Sequence, residues 1–224
     1  MLCDVISQKR VWTIWFLACL TITEIIAYLM YRILKKISYQ YIGAILSLLI
    51  GLVYAKVINR PLVWNTDIAL VAVFYFTNGR IFAYYHCAEL MRNCKQRVIY
   101  AGVCFLLVEI IRRANEVLGG GFLNMGGGNY RIEWLTIPAS LIGIGGILWI
   151  SMKWEKFSLF ALTGRNSLYI FAWHNIIFRP LIEKIFCLSG IDNMSLISIW
   201  VKIILAILFG ILSGKLISKI KIMM

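Results

Sequence analysis

The chain has 224 residues, of which 61% are hydrophobic and 15% charged, and its mean hydropathy is +0.83. A water-soluble domain of this composition could not cover its apolar surface with polar side chains, which excludes a soluble fold. The net charge of +13 falls mostly in short segments between apolar stretches. This distribution indicates phospholipid headgroups, and not nucleic acid, as the partner of the basic residues.

Seven apolar stretches approach the roughly 20 residues that a helix needs to cross the hydrocarbon core of a bilayer. They cover residues 11–31, 39–58, 67–85, 97–111, 134–150, 167–186 and 195–217. Basic residues, Asn, Pro and Gly separate them, as is typical of turns at a membrane surface. The sequence therefore predicts an all-α fold, a polytopic bundle of about seven transmembrane helices that forms a single integral membrane domain over residues 1–224.

The first ten residues are too polar for the core of a signal peptide. The apolar stretch after them is long enough to span the membrane and lacks a small-residue cleavage site, which predicts a retained helix. Lys and Arg are slightly more frequent in the loops on the side of the C-terminal tail. This bias predicts a cytoplasmic C-terminus and an external N-terminus.

Glu24 and Glu109 lie inside predicted helices, where a charge is costly and is therefore a candidate for function. Glu24, in the first helix, either forms a hydrogen bond across to a neighbouring helix or takes part in chemistry. Glu109 precedes Arg112 and Arg113 by three and four residues. This spacing places opposite charges on one helix face and favours a local ion pair.

Arg80, His86 and His174 are candidates for function among the basic and titratable side chains within or at the end of predicted helices. Arg80 either extends to the headgroups or faces a polar cavity that could hold a phosphate. His86, at the end of the same helix, is expected at the membrane interface. His174 is either a hydrogen-bonded packing residue or a candidate base. Two helical turns separate it from Ser167 by roughly 10 Å, which excludes a Ser–His dyad within one helix.

The cysteines and the glycine-rich segment carry no cofactor motif. The six cysteines show no C-x-x-C pair and no Cys/His cluster at metal-ligand spacing, so neither a metal nor a redox site is predicted. The glycine-rich run over residues 119–128 follows no predicted strand and lacks the Walker spacing. It is either a linker or part of a substrate mouth, and no bound cofactor is expected.

Several short segments occur in a recognisable order. They are Trp15-Phe16-Leu17 followed by Glu24, then Pro61-Leu-Val-Trp64-Asn-Thr-Asp67 with residues 74–79, then Asn129-Tyr130, and finally Thr163-Gly164-Arg165-Asn166-Ser167 with His174. As an ordered set that runs through nearly the whole chain, they resemble the multi-pass acyltransferases of the fucose O-acetylase-like branch of the sugar O-acyltransferases.

The resemblance implies a bacterial inner-membrane enzyme of about ten helices. Such an enzyme moves an acyl group, usually acetyl from acetyl-CoA, onto a sugar hydroxyl of a surface polysaccharide or glycolipid. The present chain would correspond to the C-terminal seven helices. The family's N-terminal basic residue and catalytic histidine would then lie in a separately encoded half or in the rest of a longer gene.

The resemblance also implies site residues, with Glu24 and His174 as the candidate catalytic groups. In physical terms, Arg80 or Arg165 could meet a CoA phosphate, and tryptophans could stack on a sugar. The expected substrate-binding set is Trp15, Trp64, Asp67, Arg80, Asn129, Tyr130, Arg165, Asn166 and Ser167.

Two other functions remain open from the sequence. One is a non-catalytic homologue that binds a glycolipid or assists its export. The other is a small transporter, which should show inverted repeats and paired intramembrane charges. No such halves are visible in the sequence, so the transporter ranks last.

Overall fold

The computed structural model describes residues 15–58, 60–119, 130, 132–154, 157–173, 179–188 and 196–223. Over these residues the chain forms ten α-helices and one 3-10 turn, Val63–Asn65, and no strand. The helices are α1 Trp15–Ile33, α2 Ile37–Val57, α3 Thr66–Tyr84, α4 Cys87–Asn93, α5 Arg97–Val117, α6 Glu133–Lys153, α7 Ser158–Arg165, α8 Ser167–Trp173, α9 Arg179–Leu188 and α10 Leu196–Met223. They belong to two compact units, Met1–Lys153 (unit 1) and Trp154–Met224 (unit 2).

Three of the described helices, α1, α2 and α6, are long and apolar enough to cross a membrane, with mean hydropathies of 1.6, 1.6 and 1.8. The 3-10 turn with α3, followed by α4 at a bend of 64°, adds a fourth candidate if the bent pair is one span. The described part of the chain therefore confirms an all-helical membrane protein with three to four candidate spans. About seven spans remains a prediction from the sequence.

Most predicted stretches coincide with observed helices. The stretches 39–58, 67–85 and 134–150 match α2, α3 and α6 to within a turn at each end. The stretch 97–111 lies in α5, whose final turns are charged and which is not among the candidate spans. The stretch 167–186 contains α8 and most of α9, with residues 174–178 outside the described ranges.

In unit 1, α1 and α3 run parallel and α2 runs antiparallel to α3. The α2–α3 contact is close because the buried face of α2 carries small residues, Ala44, Ser47 and Gly51. Ser47 Oγ donates a 2.7 Å hydrogen bond to the carbonyl oxygen of Leu70. Large apolar side chains point outward from α2 instead, an arrangement that suits lipid as the surrounding solvent. These outward residues include Ile42, Leu46, Leu49, Ile50, Val53 and Val57.

The helices α5 and α6 form an antiparallel pair in the same unit. The rings of Tyr100 and Trp149 lie 5.2 Å apart near one end of the pair, and Gly146 lies against Cys104 further along. The hydroxyls of Tyr75 and Ser140, 2.8 Å apart, connect α6 to α3. These contacts place the end of α6 beside the end of α3.

Unit 2 is organised around α10. Gly210 and Gly214, four residues apart, face α8 so closely that a Cβ on Gly210 would lie 2.8 Å from the Cα of Ile170. Phe186 of α9 packs against Val201 and Leu205 of α10. Small residues at this spacing are a common means of bringing membrane helices into close contact.

The helix directions give unit 1 two ends of different charge. The basic end, defined by the C-terminal ends of α1, α3 and α6 and the segments joined to them, holds Arg32, Lys35, Lys36, Arg80, Arg92, Lys95, Arg97 and Lys153. Glu89 is the one acidic residue described there. The opposite end holds Lys56, Arg60, Arg112 and Arg113 among described basic residues, together with Asp67, Glu109, Glu116 and Glu133. Among these described residues, basic side chains outnumber acidic ones eight to one at the basic end, whereas the opposite end has four of each.

Candidate functional site

Two consecutive residues other than glycine adopt the left-handed backbone conformation immediately before α3. Trp64 has φ 55° and ψ 26°, and Asn65 has φ 54° and ψ 39°. This conformation costs about 1–2 kcal/mol for a residue with a Cβ, although Asn tolerates it better than most. Strain of this kind persists where the surrounding contacts impose it, and it is common at functional sites.

Hydrogen bonds around Asn65 hold this conformation. The side chain of Asn65 is completely buried, and its Nδ2 donates to the carbonyl oxygen of Trp15 at 3.4 Å. Its backbone N–H donates to the carbonyl oxygen of Leu62 at 3.1 Å. The N–H of Leu62 in turn donates to Oδ1 of Asp67 at 3.2 Å. Hydrogen bonds therefore connect the turn before α3 both to the start of α1 and to the first turn of α3.

The contacts bring three of the predicted substrate-binding residues together. Trp15 packs beside Cys19 and Ile68 at the start of α1, Trp64 is 42% exposed, and Asp67 is only 3% exposed. We call the group Trp15, Trp64, Asn65 and Asp67 the aromatic corner. It lies at the end of unit 1 opposite the basic end.

The aromatic corner combines exposed indole surface with buried polar groups. Aromatic faces with a few fixed polar side chains are typical of small-molecule sites. The carboxylate of Asp67 lies in the first turn of α3, where the helix dipole stabilises negative charge, and it already accepts the Leu62 N–H. Asp67 therefore orders the turn that presents Trp64.

The candidate catalytic residue Glu24 is not part of the aromatic corner. It lies nine residues after Trp15, roughly 13 Å along the axis of α1. Its side chain is exposed, on the same outward face as Thr21 and Tyr28, and no described residue pairs with it. The other candidate, His174, lies outside the described residues.

Arg80 lies near the end of α3, in the basic end. Its Cζ is 3.7 Å from the ring centroid of Tyr31, so the guanidinium covers the face of the ring. The Tyr31 hydroxyl is 3.1 Å from Oγ1 of Thr77. The residue is exposed, so the described residues do not enclose it in a cavity.

Tyr130, another predicted substrate-binding residue, is buried in the main apolar cluster with Val71 and Phe74. Its backbone carbonyl oxygen accepts a 3.0 Å hydrogen bond from Oγ1 of Thr136. Its ring therefore contributes to packing between α3 and α6. Asn129, its neighbour in the predicted set, lies outside the described residues.

The remaining predicted residues form the α7–α8 junction of unit 2. Arg165 lines an open cleft of about 320 Å³ whose lining, among the described residues, also includes Ser158, Ala161 and Leu162. Asn166 Nδ2 donates a 2.8 Å hydrogen bond to the carbonyl oxygen of Leu162, and its side chain lies against Gly214. Ser167 is exposed at the first position of α8. Asn166 thus ends α7, whereas Arg165 and Ser167 face outward.

The structure tests the predicted pairing of Glu109 and shows the surroundings of His86. The ion pair of Glu109 is confirmed, because Arg112 Nε and Arg113 Nε lie 2.7 and 2.9 Å from its carboxylate oxygens. Arg112 also pairs with Glu116. His86 is exposed at the bend between α3 and α4, with its Nδ1 3.5 Å from the carboxylate of Glu89.

Sequence reasoning did not single out Asn65 or Tyr31. Asn65 had an available signal, since Asn adopts the left-handed conformation more readily than most residues and here precedes a helix start. Tyr31 had none, because its role depends on α1 and α3 being parallel neighbours. Among the described residues, no group of three or more His, Cys, Asp or Glu is placed to hold a metal ion.

No match to the chain was found among protein-family models, curated proteins or solved structures. The functional assignment therefore depends on the residues and geometry given above.

Proposed function

We propose that the chain is a membrane-bound O-acyltransferase that transfers an acyl group, acetyl from acetyl-CoA, to a sugar hydroxyl of a surface polysaccharide or glycolipid. The ordered motif set supports this proposal. The observation that carries it is the aromatic corner, where two strained residues present Trp64 beside Trp15 and Asp67. We further propose about seven spans and a bacterial inner-membrane location.

The reaction requires a base at the acceptor hydroxyl. The hydroxyl oxygen attacks the thioester carbonyl carbon, the new ester C–O bond forms, and the C–S bond breaks to release the CoA thiolate, which then takes up the proton held by the base. The hydroxyl proton passes to a base, for which Glu24, His174 and a histidine of a preceding segment are the candidates. Trp15 and Trp64 would hold the sugar by stacking, and Arg80, in the same unit, would bind a CoA phosphate.

The charge distribution supports an orientation for this activity. Lys and Arg accumulate on the cytoplasmic side of membrane proteins, which favours a cytoplasmic location for the basic end of unit 1, on the side where acetyl-CoA is made. The aromatic corner then faces the opposite side, toward an envelope glycan. Asp67 and Arg80 are 13 residues apart in α3, roughly 20 Å along its axis.

A second function, a non-catalytic glycolipid-binding homologue, is favoured by one observation. The Asp67 carboxylate is engaged by the Leu62 N–H, and Glu24 is turned outward. Within the described ranges, no other carboxylate is placed at the aromatic corner to act as a base. A corner that binds a sugar without transferring an acyl group would have this composition.

Transfer of labelled acetyl from acetyl-CoA to envelope glycans tests the proposal in cells. The protein is expressed alone and from its locus with the sequence upstream of Met1, in wild-type and Trp64→Ala forms. Trp134→Ala removes another exposed tryptophan, on α6, and is the matched control. Loss of a stacking contact of about 1 kcal/mol predicts about fivefold less labelling for Trp64→Ala and no change for the control.

The outcomes separate the two functions. Absence of labelling in both expression formats overturns the proposed acyltransferase activity. Glycolipid retained by purified wild-type protein but lost from Trp64→Ala would then support the binding homologue. Labelling that is equal in both tryptophan variants removes the aromatic corner from the site.

A further inference from the structure

The stack of Arg80 on Tyr31 leaves the polar edge of the guanidinium open. The N–H donors of a guanidinium lie in its plane, so a ring 3.7 Å below that plane does not occupy them. No described residue accepts a hydrogen bond from Arg80 or forms an ion pair with it. Five donors in a planar fork match the oxygens of a phosphate.

The ring beneath Arg80 is itself held in place. Its hydroxyl is 3.1 Å from Oγ1 of Thr77, and Thr77 is 1% exposed between α1 and α3. Thr77 precedes Arg80 by three residues, so both lie on the same face of α3. The guanidinium is therefore ordered before any ligand binds, which reduces the entropic cost of binding.

Arg97, in the same basic end, differs from Arg80 because its guanidinium is hydrogen-bonded to the backbone. Its Nε donates to the carbonyl oxygen of Cys94 at 2.9 Å, and its Nη1 donates to that of Met152 at 3.0 Å. Its Nη2 donates to the carbonyl oxygen of Arg92. Arg97 therefore donates three hydrogen bonds to backbone carbonyl oxygens. The donors of Arg80, in contrast, remain available to an external acceptor.

The position of Arg80 matches the depth of lipid phosphates. Tyr84 and Tyr85 follow it by about one turn, roughly 6 Å along the helix, and both rings are exposed. Tyrosines concentrate at the headgroup level of a bilayer. Phe76, one turn before Arg80, is also exposed, and its apolar ring suits the hydrocarbon level. An arginine between an exposed Phe and a pair of exposed Tyr is the arrangement expected at the boundary between hydrocarbon and headgroups.

We propose that Arg80, ordered by Tyr31, binds the phosphate of an anionic phospholipid headgroup at the basic end of unit 1. Arg32, next to Tyr31 in α1, and the loop residues Lys35 and Lys36 add positive charge that favours an anionic lipid over a zwitterionic one. The site does not depend on acyl transfer. In the proposed function Arg80 is a candidate for binding a CoA phosphate, so a phospholipid bound there would compete with CoA for Arg80.

The thermal unfolding midpoint of the purified full chain tests the proposal. Detergent micelles are supplemented with phosphatidylglycerol or with phosphatidylcholine. We expect phosphatidylglycerol to raise the midpoint on the order of 4 °C more than phosphatidylcholine does. Arg80→Gln should lose most of this difference. Lys95→Gln, which removes one exposed charge from the same end, should retain it.

Native mass spectrometry of the same variants counts bound lipids directly and does not depend on their stability. Arg80→Gln should carry one phosphatidylglycerol fewer than wild type and Lys95→Gln. Equal losses in the two variants would show a general surface potential and overturn the specific site.

Arms with acetyl-CoA and with inorganic phosphate identify the source of the phosphate. Arg80-dependent protection by acetyl-CoA or by phosphate, without a preference for phosphatidylglycerol, would overturn the lipid site. Failure of the lipid site leaves the acetyl-transfer assay unaffected, because that assay is read with Trp64→Ala.

Discussion

The side-chain amide of Asn65 donates a hydrogen bond to the backbone carbonyl oxygen of Trp15 at 3.4 Å. This bond joins the start of α1 to the residue that precedes α3, across 50 residues of chain. Because Asn65 also has a left-handed backbone, one residue supplies both the cross-connection and the turn geometry. The two contributions can be separated by substitution.

Replacement of Asn65 by Gly should remove the amide and keep the backbone conformation, whereas Ala removes the amide and adds strain. We expect Asn65→Gly to lower the free energy of unfolding by about 1 kcal/mol. Asn65→Ala should lower it by roughly 1 kcal/mol more. Thermal and denaturant unfolding in one detergent measure both changes. Equal stabilities of the two variants would contradict the strain at this position.

Substitution of Gly51 by Ala should destabilise the α2–α3 contact. A Cβ there would lie 2.7 Å from Cγ2 of Val71 and 3.1 Å from its backbone nitrogen, and the backbone cannot yield as a flexible side-chain end can. We expect a loss of about 1–3 kcal/mol in unfolding free energy.

Gly102→Ala is the matched control, since Gly102 is also inside a helix and nothing lies within 4 Å of its Cβ position. This substitution should be neutral or slightly stabilising because Ala favours helix. Equal effects of the two substitutions would show that helix propensity, and not the close contact, decides the outcome.

Gly210→Ala should loosen unit 2 by separating α8 from α10. The backbone of Ile170 would lie 2.8 Å from the new Cβ, so the helices must move apart. Hydrogen exchange should accelerate in α8 and in the facing part of α10 while α2 and α3 are unchanged. Gly164→Ala, with open space around it, should leave exchange as in wild type. Uniform acceleration across both units would contradict a local effect.

Arg97→Ala should weaken the junction of α4, α5 and α6, because it removes donors from the carbonyl oxygens of Cys94 and Met152. We expect a loss of about 2 kcal/mol in unfolding free energy, as for hydrogen bonds from a charged donor. Lys95→Ala, two residues away and exposed, should change stability by less than about 0.5 kcal/mol. Similar effects of the two substitutions would assign the loss to charge at the basic end.

The hydrophobic stretches predicted most of the helix positions because a long apolar run has one stable form in lipid, in which all backbone groups are satisfied internally. The ion pair of Glu109 with Arg112 and Arg113 was equally predictable, since a helix fixes the distance between residues three and four apart. Both inferences concern local structure.

The aromatic corner was predictable only in part. Trp15, Trp64 and Asp67 were named from a motif resemblance, whereas Asn65, which connects them, acquires its role from the parallel packing of α1 and α3. Glu24 was named with them but faces outward from the described helices, because its position on α1 is set by which face packs on α3.

The sequence by itself determined that this is a helical membrane protein, because its composition leaves apolar surface that only lipid can cover. The tertiary structure decided which arginines form hydrogen bonds within the protein and which keep their donors available to a ligand. Arg80 and Arg97 look alike in the sequence, yet one lies over Tyr31 and the other is bonded to three backbone carbonyls. The physical reason is that a guanidinium takes its partners from neighbouring helices, and the order of residues along one chain does not specify those neighbours.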